Sequence, residues 1–375
     1  MNKSEVRNIF PYLKNDIIYF NHAATGPFSS LVTIRLNNLL KEKSESNIDD
    51  YESFVNVAVE TKNILSELIH CNADRIAFLD NTSNGLNVLA NSINWKKGDR
   101  ILLNDVEFPA NIYPFLNLKR FGVEIDFVKS ENGFVTAEQI IDDVKPGTKL
   151  ISVSYVQFLS GYKIDLDKIG NYCREKNIIF CVDGIQGIGA LQIDVEKSKI
   201  DFLSCGTQKW LLGMQGLAFI YIDKELQKKM IPGNIGWLSV ENAWNLLDYN
   251  LELKKSADVF QCGTLNAFGI YVFNTSLNLF KNFGFEKVEE EVLSNSKYFI
   301  SKLNLIGIKC LLSNCLDSEL SGIVTIKVDS AERVFNHLSE KRMICSLREG
   351  LIRFSSHFYN TSQEIDTVVD ELQKI

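Results

Sequence analysis

The sequence predicts an α/β protein built on a mainly parallel sheet, and three observations carry that expectation. Strand-like and helix-like segments alternate over most of the chain, the pattern of parallel strands joined by crossover helices. "KLISVSYVQ" (149–157) is apolar enough to be buried on both faces, as central parallel strands are. The 375 residues exceed one simple core, and the pattern changes character after about residue 270.

Each element has its own warrant. "RIAFLD" reads as a short strand, and "NTSNGLNVLANSI" follows as a helix because Leu86, Leu89, Ala90 and Ile93 recur at helical spacing. "DRILLND" is a strand, "FPANIYPFLNLKRFG" a helix and "VEIDFVK" a strand. "DLDKIGNYCREKN" is a helix opened by an acidic cap, leading into the strand "IIFCVDG". "DFLSCG" and "LAFIYID" are two further strands flanking Lys209. Beyond residue 270 come a helix around "VEEEVLSNSKYFISKLNL", a strand "SGIVTIKV", a helix "AERVFNHLSEK", a strand "LIRFSSH" and a terminal helix "SQEIDTVVDELQKI". These segments predict a smaller α+β domain. With no linker rich in Pro and Gly, the two parts are expected to pack closely.

Composition narrows the function classes. Apolar residues make up 45% and charged residues 23%, values of an ordinary soluble globular protein. The net charge of −7 gives no basic footprint for nucleic acid or anionic membrane. No apolar run reaches membrane-spanning length, and the N-terminus lacks the apolar stretch of a signal peptide. Eight scattered cysteines without C-x-x-C or Cys/His ligand spacing point to reduced thiols in a cytoplasmic protein, with no metal site.

One residue stands out in the apolar stretch 201–222: Lys209, whose ammonium is costly to bury unpaired. Alone it would be a snorkelling surface lysine. "FCVDGIQGIG" ends a strand with Asp183, at the edge where open α/β sheets bind ligands. Its glycines miss the dinucleotide pattern, and Trp210 after Lys209 excludes a P-loop. Pyridoxal phosphate fits better, because it needs a lysine amine and a carboxylate for its pyridine nitrogen. It also needs phosphate donors, which Thr82 and Ser83 at a helix N-terminus offer. Phe108 could cover the ring.

The chain resembles the class V aminotransferases, a branch of the fold-type I pyridoxal-phosphate enzymes that includes cysteine desulfurases and isopenicillin N epimerase-like proteins. Seven segments carry the resemblance in order: "IYFNHAATGPFS", "NTSNGLNVLANS", "EFPANIYPF", "CVDGIQGIGAL", "CGTQKWLLGMQGLAFIYI", "QCGTLNAFGIY" and "GLIRFSSHFYNTSQEID". It implies a large domain over 21–270, a small domain over 271–375, and an N-terminal segment, 1–20, packed on the small domain. Carried over, Lys209 forms the Schiff base, Asp183 faces the pyridine nitrogen and Gln186 the phenolic oxygen. Thr82, Ser83, Thr207 and Gln208 hold the phosphate, Gln208 standing where many relatives have histidine. Phe108 takes the stacking position, Phe158 replaces a usual asparagine, Arg353 forks onto the substrate carboxylate, and Ala24 lies at the substrate. Gly263 and Thr264 match a loop that reaches the partner's phosphate, which implies a homodimer with composite sites. His22, His357 and Trp237 lie in or near matched segments without an assigned role.

The resemblance implies an enzyme acting on an amino acid or amine. Transamination is the expected reaction, with C–S lyase (β-elimination) or epimerase activity as alternatives, and a non-enzymatic scaffold disfavoured by the retained lysine. A conventional cysteine desulfurase is not expected. "SLREGLIRF" joins Arg348 to Arg353 directly, without the loop that carries the nucleophilic cysteine, and Cys345 lies upstream.

Overall fold

The computed structural model describes all of residues 1–375. A seven-stranded sheet forms its centre, built from β2 (Ile76–Leu79), β3 (Arg100–Asn104), β4 (Glu124–Val128), β5 (Thr148–Ser154), β6 (Ile179–Asp183), β7 (Phe202–Gly206) and β8 (Ala218–Ile222). The order is β2-β8-β7-β6-β5-β3-β4. β8 runs antiparallel to both β7 and β2, and the remaining neighbours are parallel. All strands except β8 therefore present their carboxyl ends along one edge, the ligand-binding edge of open α/β sheets. The fully buried residues of β6, β7 and β8 explain why those segments read as unbroken apolar runs.

Two smaller sheets lie toward the C-terminus. β9 (Ile323–Ile326), β11 (Ser346–Arg348) and β12 (Leu351–Ser355) form an antiparallel sheet in the order β11-β12-β9, and β1 (Ile18–Tyr19) pairs in parallel with β10 (Met343–Ile344). The N-terminal segment is further tied down by Arg7, which bonds the Tyr359 carbonyl and the Glu364 carboxylate. One apolar core runs unbroken from Val6 to Leu372, covering one face of the large sheet and the C-terminal layer together. A second, smaller core lies on the opposite face of the large sheet.

The sequence-expected elements recur with three differences. The segment 108–122 is not one helix: it breaks into 3₁₀ turns at Pro109–Asn111 and Asn117–Phe121 around a short helix at Tyr113–Leu116. Pro109 and Pro114 each lack an N–H, so a continuous helical ladder is impossible there. The helices Ser30–Glu45, Tyr51–Ile69 and Ala267–Phe283 stand where the sequence reading named no element. The expected domain boundary after residue 270 cuts the last of these, which packs against the other two. The next helix, Phe285–Leu305, packs instead against the terminal helix Ser362–Leu372. We propose the boundary at Gly284, which separates the two helices at a φ of +104°.

The helix Thr82–Ser92 is seated close to the sheet because Gly85 has no side chain. A Cβ there would lie 2.1 Å from Ser204 Oγ and 2.8 Å from Ile220 Cγ2. Gly85→Ala is expected to push the helix off β7 and lower the melting temperature by a few degrees, the scale of an overpacking cost of about 1–3 kcal/mol. Differential scanning calorimetry checks this; an unchanged melting temperature would mean that the helix shifts freely.

Candidate active site

Five strand ends and the turns after them converge at the carboxyl edge. β2 leads into Thr82 and Ser83, β3 into Glu107 and Phe108, β5 into Phe158, β6 ends at Asp183, and β7 leads through Thr207 and Gln208 to Lys209. The turn after β7 is held at several points. Gly26 N–H donates to the Gln208 carbonyl at 2.8 Å, Leu212 N–H to the Lys209 carbonyl at 3.1 Å, and Ser276 Oγ to the Leu212 carbonyl at 2.8 Å. Leu212 sits at φ +53°, a conformation that costs a non-glycine residue free energy and persists only when its surroundings impose it.

Lys209 forms no salt bridge, and its Nζ stands 5.6 Å from the centre of the Phe108 ring. Burial pushes its ammonium below the ordinary lysine range, the Asp183 carboxylate opposes that shift, and the Arg353 and Arg348 cations reinforce it. Asp183 is buried and accepts the Ile185 N–H at 3.0 Å. Burial holds its carboxyl above the ordinary range, the Glu107 carboxylate adds to the rise, and Lys209 opposes it. Glu107, not singled out in the sequence, is buried against Asn104, Asn111 and Ser154. Ser154 sits directly beside Asp183 across the β5–β6 ladder.

The N-terminus of helix Thr82–Ser92 faces the same edge. Asn81 caps it by accepting the Asn84 N–H at 2.9 Å, so the N–H groups of Thr82 and Ser83 have no intrahelical partner. Thr82 Oγ1 is buried without a hydrogen-bond partner. Gly206 opens the space in front of it: a Cβ there would lie 3.1 Å from Thr82 Oγ1 and 2.6 Å from Gln208 Oε1. A helix N-terminus with an orphaned hydroxyl, beside a glycine that leaves room, is a cradle for an anion.

Arg353, on β12, is buried, donates Nη1 to the Phe158 carbonyl at 2.6 Å and leaves its Nε without a partner. It forms no salt bridge to any carboxylate of the chain, and burial lowers its guanidinium to about 10. Phe108 is 44% exposed and meets Phe158 edge to face at 5.4 Å between centroids. Gln186 is buried; its Nε2 donates to the Ala23 carbonyl and its Oε1 accepts from Trp210 Nε1, both at 3.0 Å.

Thr207 and Ala24 are engaged within the chain itself, and the other residues named from the sequence take the following places. The Thr207 hydroxyl, expected at a phosphate, lies 3.0 Å from both the Met214 and Leu217 carbonyls, so its one hydrogen holds the following loop. The Ala24 N–H is engaged within its own turn by the Asn21 carbonyl at 3.0 Å, which leaves Ala24 no free donor for a substrate. Thr264 does not meet the chain's own Lys209. It is exposed and lines a separate cavity of about 210 Å³ with Asp50, Tyr51, Phe54 and Phe268. Gly263 lies by the Trp237 indole, 3.7 Å from where a Cβ would stand, so Trp237 belongs to that region. His22 and His357 are fully buried, and burial lowers both below the ordinary histidine range. Their ring nitrogens are occupied by Ser355, Tyr359, Trp210 and Phe358.

The profile of the family described as aminotransferase class-V matches residues 18–368. The chain belongs to the class-V aminotransferase family. Its relatives include a probable cysteine desulfurase of Methanothermobacter thermautotrophicus, 26% identical over 404 aligned positions that cover 100% of this chain and 98% of that protein. Another is the uncharacterized aminotransferase YcbU of Bacillus subtilis, 25% identical over 371 positions, covering 98% and 96%. Among solved structures, the apo cysteine desulfurase of Thermococcus onnurineus superposes with a TM-score of 0.89 at 22% identity, covering 99% of this chain and 97% of that one. A C-DES mutant with glycine covalently linked to its PLP cofactor gives 0.90 at 21% identity, covering 98% and 99%. These likenesses establish the fold-type I architecture. The cofactor of this class-V chain is pyridoxal 5′-phosphate.

The residues present fit that group. The orphaned Thr82 hydroxyl and the gap at Gly206 suit a phosphate, the unpaired Lys209 amine suits an aldehyde, and Asp183 offers a buried carboxylate.

The charge environment of Lys209 gives a testable ordering. Reductive methylation of the apoprotein, followed by peptide mapping, should modify Lys209 at lower pH than exposed lysines, because burial favours the neutral amine. Arg353→Met removes a neighbouring cation and should move the labelling midpoint up, whereas Asp183→Asn removes the opposing anion and should move it down. A Lys209 midpoint equal to that of surface lysines would contradict the burial seen here.

Proposed function

We propose that this chain is an aminotransferase acting on an amino acid or amine, with Lys209 as its catalytic acid–base group. The observation that carries the reading is that Lys209 Nζ is the one amine among the side chains gathered at the site, biased by its surroundings toward the neutral form. Gln208 cannot exchange a proton at neutral pH, His22 and His357 are buried with their ring nitrogens engaged, and the buried carboxyls of Asp183 and Glu107 accept hydrogen bonds from their own neighbours.

When bound, pyridoxal 5′-phosphate supplies the electrophilic carbon that takes the substrate amine and the electron sink for the carbanion at Cα. Thr82, Ser83 and Gln208 hold the phosphate, and Asp183 keeps the pyridine nitrogen protonated. Phe108 covers the ring, and Gln186 donates to its oxygen. Arg353 forks onto the substrate carboxylate, a geometry suited to its planar guanidinium. Lys209 Nζ, biased toward the neutral amine, takes the Cα proton and, once protonated, can return it. Transamination needs one such group. Two-base epimerisation needs a second on the opposite face, whereas elimination of a thiolate needs no further acid and is separated from transamination by its products.

Persulfide chemistry by the usual route is disfavoured by the hairpin between Arg348 and Arg353. Glu349 and Gly350 form a two-residue turn with φ of +48° and +72°, which leaves no mobile loop. Cys345 is buried, and burial pushes its thiol up to about 12. The alignment to the probable desulfurase runs 404 positions against 375 residues here, so that relative carries segments this chain lacks.

A panel of amino acids, followed by visible absorption of the holoenzyme, tests the reaction. Loss of the absorption of the lysine-bound cofactor with release of a keto acid is expected, and Cys345→Ser should leave the rate unchanged. Sulfide and pyruvate from cysteine or cystine would mean elimination instead, and a persulfide on Cys345 would mean a desulfurase.

We further propose a homodimer whose sites are composite, supported by the exposed Thr264 lying apart from its own Lys209. A charge-assisted hydrogen bond from Thr264 to the partner's phosphate would be worth about 1.5–3 kcal/mol, so Thr264→Ala should weaken cofactor binding about ten-fold or more. Mixing Thr264→Ala with Lys209→Ala chains under subunit exchange should restore one normal site per mixed dimer. No recovery of cofactor affinity would sink the composite arrangement.

A further inference from the structure

The contact between Trp210 and Gln186 fixes more than packing. An indole N–H can only donate, and a backbone carbonyl can only accept. Trp210 Nε1 therefore meets the Gln186 oxygen, and the Ala23 carbonyl meets the Gln186 nitrogen. The reversed amide would set donor against donor and acceptor against acceptor, leaving buried groups unsatisfied. Both ends of this clamp are themselves held. Ala23 N–H donates to Ser355 Oγ at 2.9 Å, and the Trp210 carbonyl accepts from His357 Nε2 at 2.8 Å. Trp210 is 1% exposed and Gln186 3%. One Nε2 hydrogen goes to Ala23, so one remains.

We infer that Trp210 is a positioning residue: its indole N–H locks the Gln186 amide so that the remaining Nε2 hydrogen can only donate toward the cofactor's ring oxygen. This rests on the reading of Gln186 as that oxygen's partner. The consequence is a one-way contact: the site offers the ring oxygen a donor and never an acceptor. A donor stabilises negative charge on the oxygen and so favours the deprotonated chromophore. Asp183 on β6, Cys205 on β7, Glu107 after β3, Lys209 itself, and Arg348 and Arg353 on the β11–β12 hairpin also bear on this site. His22 and His357 pack on the indole itself, at 6.1 and 5.4 Å between ring centroids, and burial holds both in the neutral form.

Spectrophotometric pH titration of the bound cofactor tests the clamp. Trp210→Phe removes the N–H, lets the amide turn over, and should raise the titration midpoint by about 0.5–1 pH unit, the scale of one net hydrogen bond. Gln186→Met, similar in shape and without donors, should raise it at least as far. Trp210→Phe placed on top of Gln186→Met should then add nothing, because the indole acts through the amide. An unchanged midpoint in Trp210→Phe, or an additive shift in the double variant, overturns the inference. If Trp210→Phe does not fold, ¹⁵N-tryptophan NMR of the apoprotein decides: the Trp210 indole resonance must move when Gln186 becomes Met, and an unmoved resonance overturns the contact. Failure of pyridoxal 5′-phosphate to colour the wild-type protein would instead defeat the reading of the site, with the indole resonance still deciding the clamp.

Discussion

A half-buried lysine and a fully buried aspartate lie together at the carboxyl edge of the large sheet, and the site is organised around their mutual charge. Burial drives each toward its neutral form, while each opposes that drive in the other. The arrangement is stable only because β6 and β7 are adjacent parallel strands, so that the residue ending one and the turn following the other fall within electrostatic reach. Arg353 and Arg348 arrive from a separate sheet and tilt the balance of Lys209 toward the free amine. Chemistry at this edge thus depends on how the C-terminal layer docks.

That docking combines strand pairing, side-chain hydrogen bonds and the Arg7–Glu364 ion pair. β1 joins β10, Asn21 bridges to Ser355, and the Ala23 and His22 region is pinned to Ser355 and Tyr359. The N-terminal residues therefore act as a strap between the two sheets. They carry the Ala23 carbonyl to Gln186 and the Gly26 N–H to the lysine turn. The buried histidines belong to this strap. With both ring nitrogens occupied they are held neutral and serve as fixed hydrogen-bonding joints.

Membership of the class-V family and the desulfurase names of several relatives leave the reaction of this chain to its own residues. The β11–β12 hairpin bears directly on that question. A turn of two residues fixes Arg348 and Arg353 on neighbouring strands, cross-strand from Leu351 and Ser346 respectively. Two cations are thereby held on one short hairpin within electrostatic reach of Lys209.

Much of the site was legible in the sequence because its residues sit at strand ends and helix starts, where local pattern marks position. Lys209 after an apolar strand, Asp183 at the end of another, and Thr82 and Ser83 opening a helix follow from periodicity and turn chemistry alone. The alternation of strands and helices likewise gave the parallel sheet. What the sequence could not specify was where each donor points. Thr207 and Ala24 carry the right chemical groups in the right segments, but tertiary neighbours occupy them. The Trp210–Gln186–Ala23 chain joins three segments distant in sequence, and Glu107 gains its influence on Asp183 only when β5 lies beside β6. Hydrogen-bond partnership is a property of three-dimensional proximity and of which lone pairs and protons remain free. A linear pattern determines which groups are present and near which turns; only the packed fold decides which of them are left available to a ligand.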